Sequence, residues 1–426
     1  MKIKELAEKL QQKFIDGQEC GIVKVDHRDW QNIYFVVPPP PPKTLTDKLD
    51  YGLVGEALKI LNGLPQFSEM SELDMLINYL FVRREAVQSS RLEGTWSTID
   101  HALTPGEISD SGESKNEHQA VRCYANLFEG ILKKATEEKA EIFTEEFVCS
   151  VQKRIVENDP NSSGVPGKLR TPNEPGSIVT IGGGQRSENS IYNPAPASEV
   201  RRCLNDVLEW FRDDEMAQMG DAGAGGLSLP IRLAIGHSHF EAIHPFTDGN
   251  GRTGRTLWPI QMISAGNMPL YLSGYVEAKK EKYGAALAES QKRLNYGPII
   301  EFICNAIIES NLETKKTKET IKSLEDRWQE RGRFREKSAS KRALRLLLTS
   351  PIITNAFLQK ELGVSKTASN EAIKTLEERK VIRYRKLEKR QKVYAAEELI
   401  QVLSRPFGSE VELALEKAEI LLELKS

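Results

Sequence analysis

HPFTDGNGRTGR occupies residues 244–255 and places a histidine, an acid, three glycines, an asparagine and two arginines within a dozen positions. It follows a segment with helical spacing of apolar residues, which runs from Pro230, a residue well placed at a helix start, to Ala242. We predict that one helix ends at Ile243 and that the next begins near Asn250. The backbone N–H groups at such a helix N-terminus lack intrahelical partners and lie at the positive end of the macrodipole. The loop is therefore predicted to bind an anion before any side chain is counted.

Two kinds of residue in this stretch are suited to phosphate. Gly249 and Gly251 let phosphate oxygens approach the main chain closely. Arg252 and Arg255 lie three residues apart, on neighbouring faces of the predicted helix, and add fork-shaped cationic donors. Together with the helix N-terminus, these residues form a predicted phosphate cradle.

A base and a metal ligand complete the set. His244 has an ordinary pKa of about 6.5 and can take a proton from a hydroxyl near neutral pH. Asp248 supplies a hard oxygen ligand, which Mg²⁺ prefers when phosphate oxygens and water share its shell. Taken separately, a histidine is usually structural and DGNG is usually a tight turn. In combination with the cradle, they indicate phosphoryl or nucleotidyl transfer.

The stretch resembles the signature of the Fic family, H-P-F-x-[D/E]-G-N-G-R-x-x-R, at every specified position. The matching residues are His244, Pro245, Phe246, Asp248, Gly249, Asn250, Gly251, Arg252 and Arg255. The resemblance implies a mainly α fold, a Fic-type helical domain with the motif on a loop between two central helices. It also implies transfer of AMP from ATP to a Tyr, Thr or Ser hydroxyl of a target protein, with release of pyrophosphate.

The resemblance also assigns roles to the residues of the motif. His244 would deprotonate the target hydroxyl, and Asp248 would hold Mg²⁺ bridging the α- and β-phosphates. Arg255 would hold the terminal phosphate. The implied nucleotide-binding set is Gly249, Asn250, Gly251, Arg252, Gly254 and Arg255.

A second segment, SSRLEGTW at residues 89–96, gains meaning only beside the first. Alone it is typical of a helix end that stops at a glycine. Fic proteins carry an inhibitory pattern, [S/T]-x-x-x-E-[G/N], which Ser89, Glu93 and Gly94 match. A carboxylate that folds over the cradle would pair with Arg255 and repel the γ-phosphate of ATP. We therefore expect Glu93 to inhibit the protein from within, and the resemblance allows it a further role in removing AMP.

Residues 177–184, SIVTIGGG, interrupt the helical pattern and predict a short β-hairpin. They are similar to the flap of Fic proteins, whose V-x-I-G core corresponds to Val179, Thr180, Ile181 and Gly182. The edge of such a flap would hold an extended target segment by main-chain pairing. A plain surface hairpin is the alternative.

The segment VEAKKEKYGAAL partly resembles the Fic helix that contacts the nucleoside. Tyr283 fits this helix. Lys279 and Lys280 replace residues that are commonly Asn and Arg, and Gly284 replaces a common second Tyr. ATP is the default donor, although some relatives use other nucleotides or phosphorylated donors.

The bulk composition is that of a globular protein. The chain has 426 residues, 39% hydrophobic and 28% charged, and its apolar runs are shorter than 18 residues. The first residues, MKIKELAEKLQQKF, predict an amphipathic helix rather than a signal peptide, so we expect a cytoplasmic protein without a membrane partner. Five scattered cysteines without C-x-x-C spacing argue against a disulfide framework and against zinc.

We divide the chain into five segments. Residues 1–43 form an N-terminal extension and linker, in which Pro38 to Pro42 predict a polyproline II spacer. The more specific alternative is that these prolines bind an SH3-like partner. Residues 44–315 hold the Fic N-terminal helices and catalytic core, and 316–337 form a helical connector. Core helices are predicted over 116–135, 144–157, 197–214, 230–243, 251–265, 276–293 and 298–314.

The remaining segments are a winged helix-turn-helix at 338–404 and a C-terminal helix at 405–426. Residues 331–392 carry 18 Lys and Arg against 6 Asp and Glu, a net charge of +12. The predicted recognition helix runs from Lys366 to Val381, with Ala372, Ile373 and Leu376 packing inward. The predicted wing residues are Arg383, Arg385, Lys386, Lys389 and Arg390. Such a domain binds DNA phosphates or, alternatively, docks proteins or forms dimers.

Two classes of function compete. In the first, the chain is an autoinhibited protein adenylyltransferase that also modifies itself. In the second, it is a DNA-binding regulator whose Fic core acts as a sensing module. The complete motif favours the enzyme, and it disfavours kinase-like relatives, which depart from the full motif. We also expect a homodimer.

Overall fold

The computed structural model describes residues 1–27, 30–95, 97–105, 117–174, 176–182, 189–213, 227–388 and 391–423. The fold is mainly α, as predicted. The chain forms two compact units. Unit 1 comprises Met1–Glu69 and Asn126–Ser310, and unit 2 comprises Met70–Ala125 and Asn311–Ser426. The five predicted segments follow a different division, and their boundaries stay a prediction.

Unit 1 begins with a β-hairpin that the sequence analysis did not predict. The elements are a 3₁₀ turn (Ile3–Glu5), α1 (Glu8–Gln11), β1 (Gly21–His27) and β2 (Trp30–Val37). The strands pair antiparallel, with Gly21 opposite Val37. The expectation of one amphipathic helix over the first residues was wrong, because Leu6 and Leu10 pack into a cluster with Ile22 and Val36 of the hairpin. Tertiary contacts override the local helical pattern here.

The predicted polyproline segment is partly buried in the fold. Pro38, Pro39 and Pro41 are buried, and the segment has no regular secondary structure. The N-terminal extension therefore packs against the protein for part of its length, more closely than an exposed spacer would.

The helices of the core follow. They are α2 (Tyr51–Asn62), α3 (Glu72–Leu92), α4 (Ile99–Leu103), α5 (Glu117–Glu138), α6 (Glu145–Val156), α7 (Val200–Arg212), α8 (Leu229–Ile243), α9 (Asn250–Ser264), α10 (Ser273–Ala278), α11 (Lys280–Arg293) and α12 (Gly297–Glu330), with 3₁₀ turns at Phe67–Glu69 and Lys139–Ile142. The bounds predicted for α8 and α9 are confirmed to within one residue. The predicted helix over 276–293 breaks at Lys279, and α12 continues to Glu330 through most of the predicted connector.

Helix α8 lies at the centre of unit 1 and packs against α7, α9 and α11. Every residue from Pro230 to Ile243 is buried. A helix that is buried all round belongs to the core, and polar side chains on it require internal partners. The loop from α8 to α9 is thereby held on both sides by rigid elements.

Unit 2 holds α3, α4 and the C-terminal elements. These are α13 (Ala339–Thr349), β3 (Ile352–Thr354), α14 (Asn355–Leu362), α15 (Lys366–Glu378), β4 (Arg383–Glu388), β5 (Gln391–Ala395), α16 (Glu397–Ser404) and α17 (Val411–Glu423). Three helices and a hairpin follow in the order predicted for a winged helix-turn-helix, with the unforeseen β3 giving the sheet order β3-β5-β4. Ala372, Ile373 and Leu376 are buried, as predicted.

No helix within the described ranges combines the length and apolarity that a membrane crossing needs.

Candidate active site

His244 stands at the junction of α8 and the loop. It caps the C-terminus of α8 with φ 52° and ψ 63°, the left-handed region, and its N–H donates to the Phe240 carbonyl. Such a backbone costs a residue other than glycine about 1–3 kcal/mol and persists only where the surroundings hold it. The imidazole is 18% exposed, and its Nδ1 lies 3.7 Å from a carboxylate oxygen of Glu241. The base predicted from the sequence is thus accessible, with a carboxylate beside the ring.

Asn250 closes the loop rather than pointing out of it. Its Oδ1 accepts a hydrogen bond from the Phe246 N–H at 2.8 Å, and its Nδ2 donates to the Phe246 carbonyl at 2.8 Å. The side chain is buried. Gly249, with φ 77°, occupies the left-handed turn before α9, where a side chain would be strained. The backbone at the N-terminus of α9 is therefore held in one conformation, and its binding of an anion stays a prediction.

Asp248 is held by main-chain donors. One carboxylate oxygen accepts from the Gly249 N–H at 2.5 Å and the other accepts from the Ser163 N–H at 3.0 Å. Gln152 donates to the Asp248 carbonyl at 2.9 Å. The carboxylate is partly exposed and keeps further lone pairs. A single fixed, hard oxygen donor fits Mg²⁺ that takes its other ligands from phosphate and water.

Arg252 makes a buried ion pair inside the protein. Its Nη1 lies 2.6 Å from Oδ2 of Asp159, and the two side chains are 5% and 3% exposed. This bond ties the first turn of α9 to the segment after α6. The structure therefore gives Arg252 a partner that the sequence did not foresee, and its predicted contact with phosphate stays a prediction.

Gly254 and Arg255 lie on the part of α9 that packs against Glu241 and His237 of α8. A Cβ on Gly254 would lie 2.7 Å from Oε1 of Glu241 and 3.1 Å from the His237 ring. The positive charge of Arg255 also acts on His237. Burial and this charge together lower the pKa of His237 to about 3, so the imidazole is neutral at physiological pH.

Tyr283 contacts His237 of α8, which in turn packs on α9. The tyrosine hydroxyl lies 2.6 Å from Nε2 of His237. The His237 ring packs on Trp258 of α9, with ring centroids 4.2 Å apart, and Tyr283 contacts Phe302 at 5.6 Å. The structure brings Tyr283 into the neighbourhood of α8 and α9, and its contact with a nucleoside stays a prediction.

The predicted flap is present only as a minimal pairing. Ile181 and Tyr192 form a single antiparallel bridge, in which each backbone pairs with the other. Val179 and Thr180 lie in a segment without regular strand structure, and Gly182 has φ 71°. Residues 183–188 lie outside the described part of the chain. The segment leading to the flap contacts the motif, because Oγ1 of Thr247 lies 3.5 Å from the Gly176 carbonyl.

The predicted inhibitory residues lie in unit 2, at the C-terminal end of α3. The Ser89 hydroxyl is buried and accepts a hydrogen bond from the Tyr124 hydroxyl at 3.3 Å. Glu93 caps α3, and Gly94 turns the chain with φ 86°. The predicted pairing of Glu93 with Arg255 of unit 1 stays a prediction.

Helix α3 itself is anchored within unit 2 by buried charges. Arg84 lies 2.6 Å from a carboxylate oxygen of Glu313, and Arg405 lies 2.7 Å from the same oxygen. All three side chains are at most 4% exposed. A buried carboxylate shared by two guanidinium groups is costly to disturb, so this cluster holds the middle of α3 in place within unit 2.

Comparison with known protein families identifies the region around this loop. Residues 142–261 match the Fic/DOC family, and residues 51–130 match the Fic/DOC family N-terminal region. The chain contains a Fic domain. The residues of the loop, of α6 and of the segment before the flap all belong to the matched region.

Two named proteins are similar to parts of the chain. Protein adenylyltransferase fic-1 of Caenorhabditis elegans is 34% identical over 95 residues, which are 22% of this chain and 16% of that protein. Probable protein adenylyltransferase aq_aa38 of Aquifex aeolicus is 25% identical over 222 residues, 52% of this chain and 58% of that protein. The chain thus spans a small part of the first relative and little more than half of the second.

A solved Fic family protein from Desulfovibrio desulfuricans G20 superimposes with a TM-score of 0.48 at 17% identity, covering 84% of this chain and 98% of that chain. A Fic domain containing signaling protein from Bacteroides thetaiotaomicron gives 0.47 at 18% identity, covering 63% and 97%.

Several residues that build the site were missed from the sequence. They are Gln152, Asp159, Ser163, Arg170 and His237. The first three contact the motif across 85 to 96 positions of the chain. Local pattern carries no signal for such pairs, because each residue type is ordinary in a helix end or loop.

Proposed function

We propose that the Fic chain is a protein adenylyltransferase that transfers AMP from ATP to a Tyr, Thr or Ser hydroxyl of a target protein and releases pyrophosphate. The observation that carries the proposal is the loop between α8 and α9, where an accessible His244, a fixed Asp248 and the N-terminus of α9 stand together. The relatives named protein adenylyltransferase support it.

The chemistry follows from these groups. His244 accepts the proton of the target hydroxyl, and the hydroxyl oxygen forms a bond to the α-phosphorus of ATP. The bond from the α-phosphorus to the bridging oxygen breaks, and pyrophosphate leaves. The backbone N–H groups of Asn250 and Gly251 stabilise charge on the phosphate oxygens, while the Gly249 N–H donates to the Asp248 carboxylate. Asp248 would hold Mg²⁺, which supplies neutralisation of phosphate charge.

Autoinhibition by Glu93 forms part of the proposal. A carboxylate that reaches Arg255 would occupy the donors that the γ-phosphate needs. The buried ion pairs of Arg84, Glu313 and Arg405 support this role, because an inhibitory carboxylate must keep its position when ATP competes for the same donors. Replacement of Glu93 should therefore allow the protein to modify itself. Glu93 would also take part in the removal of AMP.

The test compares wild type, Glu93→Gly and His244→Ala with labelled ATP and a cell lysate. We expect Glu93→Gly to label target proteins and itself more strongly than wild type, and His244→Ala to label nothing. Equal labelling by wild type and Glu93→Gly would remove the inhibitory role. Mass spectrometry of the labelled bands identifies the modified hydroxyl.

DNA binding by the C-terminal domain is the second candidate. A recess of about 670 Å³ on α15 supports it, since Lys366, Lys374 and Lys392 line its wall. The wing offers less than its sequence suggested, because Arg383 and Arg385 both pair with Glu397. The side chain of Lys386 and the whole of Lys389 and Arg390 lie outside the described residues.

A fluorescent DNA duplex tests this candidate. Each phosphate contact should steepen the dependence of affinity on salt by about one logarithmic unit. Lys374→Glu should then weaken binding and flatten that slope. An affinity that does not depend on salt would contradict binding to DNA phosphates and favour a domain that docks proteins. The homodimer and the cytoplasmic location are further proposals, and light scattering with cell fractionation tests them.

A further inference from the structure

Arg170 is a buried cation bonded entirely to main-chain oxygens. Its side chain is 3% exposed. The guanidinium donates to the carbonyls of His244 at 2.8 Å, Ile243 at 2.9 Å, Ala195 at 2.8 Å and Ser177 at 3.0 Å. Burial lowers its pKa to about 10, so the group remains charged at neutral pH. A buried charge is retained only where its hydrogen bonds replace water, and these four carbonyls do so.

Two of these carbonyls belong to the end of α8. The last carbonyls of a helix lack intrahelical partners and carry the negative end of the dipole, where a cation is stabilising. His244 is also the residue held in the left-handed region. In addition, the Arg170 N–H donates to the Pro245 carbonyl at 2.9 Å. Arg170 therefore holds three consecutive residues of the loop on which the base is carried.

The third and fourth carbonyls belong to other segments. Ser177 begins the segment that leads to the flap, and Ala195 precedes α7. One planar group with five N–H donors in a fixed fork can span all of these acceptors, whereas a lysine ammonium has three donors at one point. The guanidinium thus sets the position of the flap segment relative to His244.

We propose that Arg170 is a positioning residue for the transfer reaction. It fixes the backbone of His244 and so the direction of the imidazole, and it holds the segment that leads to the flap at a set position relative to His244. The inference deepens the proposed function and rests on it. Arg170 does not touch substrate in this role. Its loss should slow transfer without weakening the binding of ATP.

The experiment places Arg170→Met and Arg170→Lys in the Glu93→Gly protein, where transfer is expected to be measurable. Initial rates of labelled AMP incorporation are measured against ATP concentration. A displaced base should lower the rate at saturating ATP by about 100-fold in Arg170→Met. The KM for ATP should stay unchanged, and Arg170→Lys, which keeps the charge, should recover part of the rate.

Arg232 is the matched control. It lies in the first turn of α8, is 7% exposed, and donates to the carbonyls of Trp210 at 2.9 Å and Phe211 at 3.3 Å. Arg232→Met removes a comparable buried guanidinium far along α8 from His244. We expect it to lower the melting temperature and to leave the rate at saturating ATP unchanged.

A readout besides activity separates this inference from the proposed function. The chain has six histidines, so the imidazole C–H resonances in an NMR spectrum are few, and His244→Gln identifies the one that matters. Arg170→Met should shift the His244 resonance, and Arg232→Met should leave it in place. If Glu93→Gly transfers no AMP, the proposed function is wrong. The shift of the His244 resonance in Arg170→Met then still tests whether Arg170 positions His244. An unshifted resonance in folded Arg170→Lys and Arg170→Met, or an equal shift in Arg232→Met, overturns the inference.

Discussion

The ion pair between Arg252 and Asp159 gives the sharpest test of how the catalytic loop is held. The two charged groups lie 2.6 Å apart, with side chains 5% and 3% exposed. Asp159→Ala leaves the Arg252 guanidinium buried without this carboxylate, which costs about 3–5 kcal/mol in the free energy of unfolding. At ~2–4 °C per kcal/mol for a unit of this size, the melting temperature of unit 1 should fall by roughly 6–20 °C.

Differential scanning calorimetry measures the effect. The control is Arg201→Ala, because Arg201 pairs with Glu145 at 2.9 Å but is 70% exposed, and such pairs contribute about 1 kcal/mol or less. Asp159→Leu combined with Arg252→Met should recover most of the lost stability, since an apolar pair can replace a buried ion pair. A melting temperature for Asp159→Ala within about 2 °C of wild type would show that this ion pair does not stabilise unit 1.

Three further changes follow from contacts in unit 1. Gly254→Ala would place a carbon 2.7 Å from Oε1 of Glu241, so we expect a loss of about 1–3 kcal/mol in urea unfolding, and unchanged stability would contradict the close helix packing. Tyr283→Phe removes the hydroxyl that lies 2.6 Å from Nε2 of His237, which should cost about 1–3 kcal/mol and weaken the binding of an ATP analogue in calorimetry. Burial lowers the pKa of His237 and of His239 to about 3, so below pH ~6.5 the unfolded chain takes up protons that the folded chain does not. Stability should therefore fall toward pH 3 by about 1.4 kcal/mol per pH unit for each histidine, and His239→Gln should make the fall in melting temperature shallower; an equal slope would contradict it.

The centre of the fold was predictable because its signals are local. Pro230 marks the start of α8, and the glycines of the loop mark the break before α9. The order of the C-terminal elements was likewise visible in short runs of apolar residues. Density of polar residues within one dozen positions also made the candidate site visible without any structure.

Long-range contacts could not be predicted in the same way. Leu6 and Leu10 have helical spacing, yet they pack on a distant hairpin. The break at Lys279, with φ −126°, lies inside a run whose residues are otherwise good helix formers. Arg170 and Asp159 acquire meaning only when the chain brings them beside the motif, 74 and 93 positions away.

The position of the phosphorus that reaches the protein distinguishes adenylyl transfer from phosphoryl transfer. Purified Glu93→Gly protein is incubated with Mg²⁺ and ATP labelled either at the α-phosphorus or at the γ-phosphorus, and the label bound to protein is counted. Adenylyl transfer predicts that label is incorporated from the α-position alone. When the same protein also carries His244→Ala, neither label should be incorporated. Incorporation from the γ-label, or α-label that survives His244→Ala, would contradict the account.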